Sequence, residues 1–330
     1  MLKVCIFGGG AIGSHIAGHL ALAGLCEVSL VARGTNLQAL QKNGLRVITP
    51  NSDFTVQVKA CEDSSTLGVQ DYVFLTVKAH QLEDALAQIS PLIGPHTTII
   101  PPTTAIPYYF FHRWPGALND RQLPLLDPNG KQWQGLPPSQ VVGCVYWIGA
   151  HLVEPGVVSQ DGAKAGCPVG ELDGSHSPRV VALSELLSSS GIASRVNDNI
   201  RAAIWVKFVN SLCWNPVAVL TLATLGQMQA AGDVVPLVIA LMGEVDALAE
   251  QIGLVVSPGP EKRIAMTLSA GAHKMSMLQD LEAGRPLELA ALAQSLRAVR
   301  ELTDLQTPLL DSVLALASLR AQMASQSRIL

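Results

Sequence analysis

The chain has 330 residues, 48% of them hydrophobic and only 15% charged, a composition that supplies buried cores for two domains and excludes a disordered chain. Its formal net charge of −4 gives no basic stripe for neutralising phosphates, so nucleic acid is not expected as a partner. Cys5, Cys26, Cys61, Cys144, Cys167 and Cys213 are scattered without a C-x-x-C pair and are expected to be reduced and structural.

The N-terminus enters a strand pattern at once with LKVCIFG, where a signal peptide would show a basic segment, a long apolar core and a cleavage site; a cytoplasmic location is expected. A glycine-rich turn and a helix to about Gly24 follow, then the strand EVSLVAR and a helix from about Asn36 to Lys42. Further strand patterns are GLRVITP, FTVQVKA, DYVFLTV, TTIIPP, VVGCVYW and GVVSQDG. Strands alternating with helices imply parallel pairing through crossovers, hence a doubly wound α/β sheet. Because GLRVITP, FTVQVKA and GVVSQDG lack intervening helices, part of that sheet is expected to be antiparallel. The stretch 118–140, LNDRQLPLLDPNGKQWQGLPPSQ, reads as a surface hairpin or flap, with a functional lid as the alternative.

After SPRVVALSELLSSSGIASRVN the character changes, and from Asn199 onward the pattern is helical, broken only at Gly253 to Pro260 and Gly284 to Pro286. An α/β domain over 1–197 and an all-α domain over 198–330 are expected. The most apolar late run, VVPLVIALM, ends at Glu244 and Asp246 and is too short for a bilayer, so it reads as a buried helix and no membrane partner is expected.

Gly8-Gly9-Gly10-Ala11-Ile12-Gly13 forms a G-x-G-x-x-G directly after the first strand and at the opening of a helix. Glycines there allow a tight turn, close backbone approach to a pyrophosphate and packing of helix on strand, while the helix N-terminus favours the negative charge. A glycine turn without a ligand is the alternative. Arg33 stands 20 residues past Gly13, where an NAD site would carry Asp or Glu, and a guanidinium suits the 2′-phosphate of NADPH. The competing reading is an exposed arginine in the Arg33-Gly34 turn. Lys78 ends the run DYVFLTVK, where ligands of open α/β sheets bind, and either meets the dinucleotide or is solvated; His80 reads as a surface or packing residue.

In IWVKFVNSLCWNP, Lys207 is followed at i+4 and i+8 by Ser211 and Asn215, so three polar side chains share one flank of an apolar helix. An ammonium aimed at a ketone oxygen stabilises the charge that hydride delivery leaves there and can protonate it, and partial burial lowers a lysine toward the working range. A snorkelling lysine is the alternative. Trp205 and Trp214 read as packing residues.

The ordered set GGGAIG, LVARG, TVKAHQ, IWVKFVNSLCWNP and HKMSMLQDLEAGRPLEL resembles the ketopantoate reductase (2-dehydropantoate 2-reductase) family over nearly the whole chain. The most specific features are W-x-K with N-P eight and nine residues after the lysine, and HKMSMLQDLEAGRPLE. The resemblance implies a Rossmann-type N-terminal domain followed by a helical domain, with 2-dehydropantoate reduced by NADPH in the cleft between them, a step of pantothenate biosynthesis. It implies Lys207 as proton donor, Asn215 and Ser276 as substrate contacts, and Glu288 on the cofactor and substrate-hydroxyl side.

Two positions depart from the family pattern. Thr103-Thr104-Ala105 stands where the family carries Q-N-G, placing Thr104 at the nicotinamide contact, and Ser211 replaces a second asparagine beside the substrate. Both exchange an amide for a shorter hydroxyl with fewer donors, which keeps the reaction class and admits another 2-oxo acid or ketone as substrate. A protein that senses NADPH without turnover is a further reading, opposed by the presence of Lys207 and Glu288. Local alternatives exist too: Ser276 with Gln279 fits a capping box, and Pro286 at a first helical position would put Glu288 in a first turn. The apolar C-terminal helices could carry a homodimer interface.

Overall fold

The computed structural model describes residues 1–326, apart from the side chains of residues 163 and 164. Contacts divide the chain into two units, one of residues 1–103, 107–122 and 129–201, the other of 104–106, 123–128 and 202 onward.

In chain order the first unit contains β1 (Lys3–Phe7), α1 (Ala11–Ala23), β2 (Glu27–Val31), α2 (Gly34–Asn43), β3 (Leu45–Thr49), β4 (Ser52–Val56), β5 (Lys59–Cys61), β6 (Tyr72–Leu75), α3 (Leu82–Ile89) and β7 (Thr98–Ile100). It continues with α4 (Lys131–Gly135), β8 (Gly143–Cys144), β9 (Trp147–Glu154), β10 (Val157–Gly166), β11 (Val169–Gly170) and α5 (Pro178–Ser189). KVCIF, YVFL and TII are nearly continuous apolar runs because they are buried on both faces, as parallel strands covered by helices must be. They form a parallel sheet in the order β5-β2-β1-β6-β7, in which the chain leaves β1 toward β2 and later returns to its other side as β6. That reversal is the switch point of the sheet, the place where open α/β folds bind ligands.

The antiparallel pairing lies elsewhere than expected. β3, β4, β9 and β10 form a second sheet, β4-β3-β10-β9, with β3 parallel to β10 and the other two pairs antiparallel. Helix α1 packs against strands of both sheets and is apolar nearly all round for that reason. Gly18 permits its close approach to β3, since a Cβ there would lie 2.3 Å from Val47 Cγ2. The run FTVQVKA serves both sheets: its first part ends β4, and Lys59–Cys61 crosses to pair with β2. VVGCVYW contributes only the two-residue β8, paired with β11, before β9 begins at Trp147.

The 118–140 stretch forms no hairpin. It is built of short 3-10 turns and α4, and Pro124, Pro128, Pro137 and Pro138 withhold the N–H groups a ladder would need.

The second unit is helical, as the pattern requires, although α6 (Ile200–Thr221) begins its first turn in the other unit. It continues with α7 (Leu225–Ala230), α8 (Val234–Gln251), α9 (Pro260–Leu268), α10 (Ser276–Glu282), α11 (Leu289–Arg300) and α12 (Pro308–Gln326). The interruptions fall at the glycine and proline clusters. VVPLVIALM opens α8 with Val238, Leu241 and Met242 buried. Among the described residues α6 is long and apolar enough to cross a bilayer, yet 72% of its most apolar window is buried inside the protein, Trp205 and Trp214 completely. All six cysteines are free thiols, and burial raises Cys5, Cys26 and Cys213 above the ordinary thiol range.

Candidate active site

The glycine turn follows β1 at the switch point. Gly8 has φ +125°, a conformation L side chains rarely adopt, and a Cβ on Gly13 would lie 2.0 Å from the Gly8 oxygen. Gly10 differs: a Cβ there would meet no atom within 4 Å. Gly10 is also the N-cap of α1 and has no side chain to satisfy the first N–H groups of Ala11, Ile12 and Gly13. Open space beside uncapped amide donors fits a pyrophosphate.

Side chains outside the glycine motif brace this turn. Thr76 Oγ1 donates to the Gly8 carbonyl at 2.8 Å, and Asn36 Nδ2 donates to the Gly9 carbonyl at 2.7 Å. Asn36 Oδ1 also accepts the Gly156 N–H at 2.8 Å, tying α2 and the β9–β10 turn to the glycine turn. Their only sequence signal is a polar residue just beyond an apolar strand in one case and in the first turn of a helix in the other.

Arg33 is exposed at the N-cap of α2, directly after β2, and half-buried Lys78 follows β6. Since β2 and β6 flank β1, the sheet brings Arg33, the turn Gly8 to Gly13 and Lys78 to one edge, in that order. His80 is exposed. Half-buried Thr104 lies in the loop after β7, in a segment that clusters with the second unit.

In the second unit, α6 presents Lys207, Ser211 and Asn215 along one flank. Lys207 is half-buried, and loss of hydration lowers its pKa to about 8, against the opposing pull of the Glu288 carboxylate. Such an ammonium is still mostly protonated at neutral pH and releases its proton far more readily than an exposed lysine. Glu288 is half-buried at the N-cap of α11, which starts at Leu289, so Pro286 lies outside the helix instead of opening it. The Glu288 side chain makes no capping bond.

Ser211 is 6% exposed and Asn215 1%, whereas Ser276 is exposed at the start of α10. Asn215 Nδ2 donates to the Ser211 carbonyl at 3.0 Å, and its Oδ1 accepts the Met277 N–H at 3.0 Å and the Ser276 hydroxyl at 3.4 Å. The alternative reading of a capping box is not met: Met275 occupies the N-cap, Ser276 is already helical, and Gln279 Nε2 donates to the Lys274 carbonyl at 2.9 Å. The sequence reading gave no role to Asn210, three residues after Lys207, whose Oδ1 is buried without a hydrogen-bond partner. No group of three or more metal-ligating side chains is assembled among the described residues.

A parallel sheet with a glycine turn and uncapped helix N-terminus at its switch point, continued in a helical unit that holds a lysine of lowered pKa, defines a dinucleotide-dependent oxidoreductase of Rossmann type. The family model described as "Ketopantoate reductase PanE/ApbA" matches residues 4–102, and "Ketopantoate reductase PanE/ApbA C terminal" matches residues 199–321. The 2-dehydropantoate 2-reductase of Mesorhizobium japonicum is 40% identical over 315 residues, covering 96% of each chain. A putative ketopantoate reductase from Ralstonia solanacearum superposes with a TM-score of 0.90 at 36% identity, over 98% of this chain and 99% of that one. D-mandelate dehydrogenase, solved with NADH and anilino(oxo)acetate, shares the fold at a TM-score of 0.81 and 21% identity, over 98% and 99% of the two chains. The chain belongs to the ketopantoate reductase family and is an oxidoreductase acting on a CH–OH group.

Proposed function

We propose that this protein is an NADPH-dependent 2-dehydropantoate 2-reductase of pantothenate biosynthesis, acting in the cytoplasm. Its first domain, 1–197, holds the cofactor and its second, 198–330, holds the substrate and the proton donor. The observation that carries the reading is Lys207, half-buried on α6 with a pKa lowered to about 8 and a carboxylate, Glu288, acting on its charge.

When bound, NADPH would supply the hydride for the C2 carbonyl carbon. As the C=O electron pair moves onto oxygen, the Lys207 ammonium stabilises the developing alkoxide and transfers its proton there, producing the hydroxyl of pantoate. Ser211, Asn215 and Ser276 make up the substrate side, and Glu288 keeps Lys207 charged while accepting from a substrate hydroxyl. The backbone from Gly8 to Gly13 takes the pyrophosphate, Arg33 the 2′-phosphate, and Lys78 and Thr104 the remaining cofactor contacts.

A second reading, reduction of another 2-oxo acid, is favoured by Ser211, a short buried hydroxyl one helical turn from the proton donor. One assay tests both: NADPH consumption across a panel of 2-oxo acids that includes 2-dehydropantoate, run in parallel with NADH. The highest kcat/KM for 2-dehydropantoate supports the first reading and a higher value for another acid the second. Tight NADPH binding with no oxidation across the panel would overturn both in favour of a cofactor sensor.

A further inference from the structure

We infer that Asn36 and Thr76 are positioning residues for the cofactor: by holding the Gly9 and Gly8 carbonyls they set the peptide planes that lead into α1, and so the N–H groups offered to the pyrophosphate that NADPH and NADH share. The inference rests on the dinucleotide site proposed above and concerns the part of the cofactor that Arg33 does not read.

Glycine leaves a turn a wide choice of φ and ψ, so a glycine turn presents fixed donors only when something outside it fixes its peptides. A trans peptide is planar, its C=O and N–H point in opposite directions, and fixing one fixes the other. Asn36 Nδ2 donates to the Gly9 carbonyl at 2.7 Å, joined by Ser14 Oγ at 3.3 Å. The Gly10 N–H, on the other side of that peptide, is thereby turned away from Asn36. Gly10 is exposed and a Cβ there would meet nothing within 4 Å, so there is room for a ligand beside it. One peptide earlier, Thr76 Oγ1 donates to the Gly8 carbonyl at 2.8 Å, with the Phe7 carbonyl at 3.3 Å, and sets the plane that carries the Gly9 N–H.

Asn36 is itself locked. Its Oδ1 accepts the Gly156 N–H at 2.8 Å from the turn between β9 and β10, so a flipped amide would set its NH2 against an N–H and its oxygen against a carbonyl. The second sheet, which contains no part of the glycine turn, thus decides which end of the amide faces Gly9. Asn36 also accounts for Gly9, a position where G-x-G-x-x-G admits any residue: a Cβ there would lie 3.1 Å from Asn36 Nδ2 and 2.7 Å from Ala32 Cβ. The missing side chain lets the amide reach the turn.

Arg33 and Asn36 stand three residues apart at the start of α2 and divide the cofactor between them. The first faces a group that distinguishes NADPH, the second a group common to both dinucleotides. Loss of Asn36 should therefore weaken both cofactors without changing the preference between them.

The test uses the full chain. Fluorescence titration without substrate should show Asn36→Ala raising Kd for NADPH and for NADH by the same factor, about tenfold or more, the worth of a charge-assisted hydrogen bond. At saturating cofactor kcat should stay within about twofold, because binding and not chemistry has been lost. Adenosine 2′-monophosphate, which carries the 2′-phosphate but no pyrophosphate, should compete with NADPH as well in the variant as in the parent. Unchanged Kd values, or a loss confined to NADPH, would overturn the inference, as would an equal weakening of adenosine 2′-monophosphate, which would mean that the whole edge had loosened. If Asn36→Ala does not fold, Thr76→Val decides by the same titrations: it keeps the shape of the side chain and removes the donor, so both Kd values should rise together, while Thr76→Ser keeps the hydroxyl and should bind both as the parent does. A parent chain that binds neither dinucleotide would overturn the cofactor reading itself, whereas a parent that binds and variants that bind equally well would overturn this inference alone.

Discussion

Glu288, at the N-cap of α11, acts on the charge of Lys207 on α6: burial drives the lysine down, the carboxylate pulls it back up, and the balance rests at about 8. A proton donor must be protonated to work, so kcat/KM for carbonyl reduction should hold below that value and fall as pH rises through it. Replacing Glu288 by Gln removes the stabilising negative charge, which disfavours the ammonium, and the falling limb should move to lower pH. A pH–rate profile of the parent and the Glu288→Gln variant checks both. A limb that stays fixed would mean that another group sets the pH dependence.

Lys207→Ala should leave NADPH affinity within about twofold and lower kcat/KM by about 10²–10⁴, the usual worth of a positioned acid. Fluorescence titration with NADPH and steady-state kinetics separate the two effects. Turnover equal to that of the parent would remove Lys207 from the chemistry.

The parts of this molecule that sequence reveals are those whose neighbours lie nearby in the chain. KVCIF and YVFL are legible as parallel strands because burial on both faces leaves an unbroken apolar run, and the glycine turn because its residue types are demanded by local backbone geometry. The second sheet is illegible because β3 pairs with β10, more than 100 residues away, and nothing in GLRVITP states which partner it will find. Lys207 stands out as a charge in an apolar helix. The bracing by Asn36 and Thr76 and the bond from Met277 to Asn215 depend on partners 27 to 120 residues distant, which no local period records. The Pro286 signal misplaces the start of α11 because a proline compatible with a helix start is equally compatible with the loop before it.

Arg33 sits exposed at the edge shared with the glycine turn, and in the proposed reading it grips the 2′-phosphate, a group NADH lacks. Arg33→Ala should raise KM for NADPH about 10- to 100-fold, the worth of charge-assisted hydrogen bonds, and change KM for NADH less than about threefold. Kinetics with the two cofactors at fixed substrate decide it. Equal losses with both would show that Arg33 supports the fold of the turn and not cofactor choice.

His15 and His19 lie one helical turn apart on α1, with ring centroids 4.5 Å apart, where the helix packs against both sheets. His15 is fully buried and bonded to Gln160 Oε1 at 2.9 Å, and loss of hydration lowers its pKa from 6.5 to about 4; His19 is lowered by the same cause. The unfolded chain therefore binds more protons than the folded one between those two values, so stability should be full above pH 6.5 and fall as the pH drops toward 4. For His15 alone the loss is about 3 kcal/mol. In His15→Gln, which cannot titrate, melting temperatures across the same range should decline less than in the parent, although the variant starts lower at pH 7 because the core around α1 is disturbed. Parallel declines in the two proteins would assign the acid sensitivity to groups that still titrate in the variant: His19, or carboxylates such as Asp53 or Asp120, whose pKa values are lowered in the folded state and which therefore also lose stabilising charge on acidification.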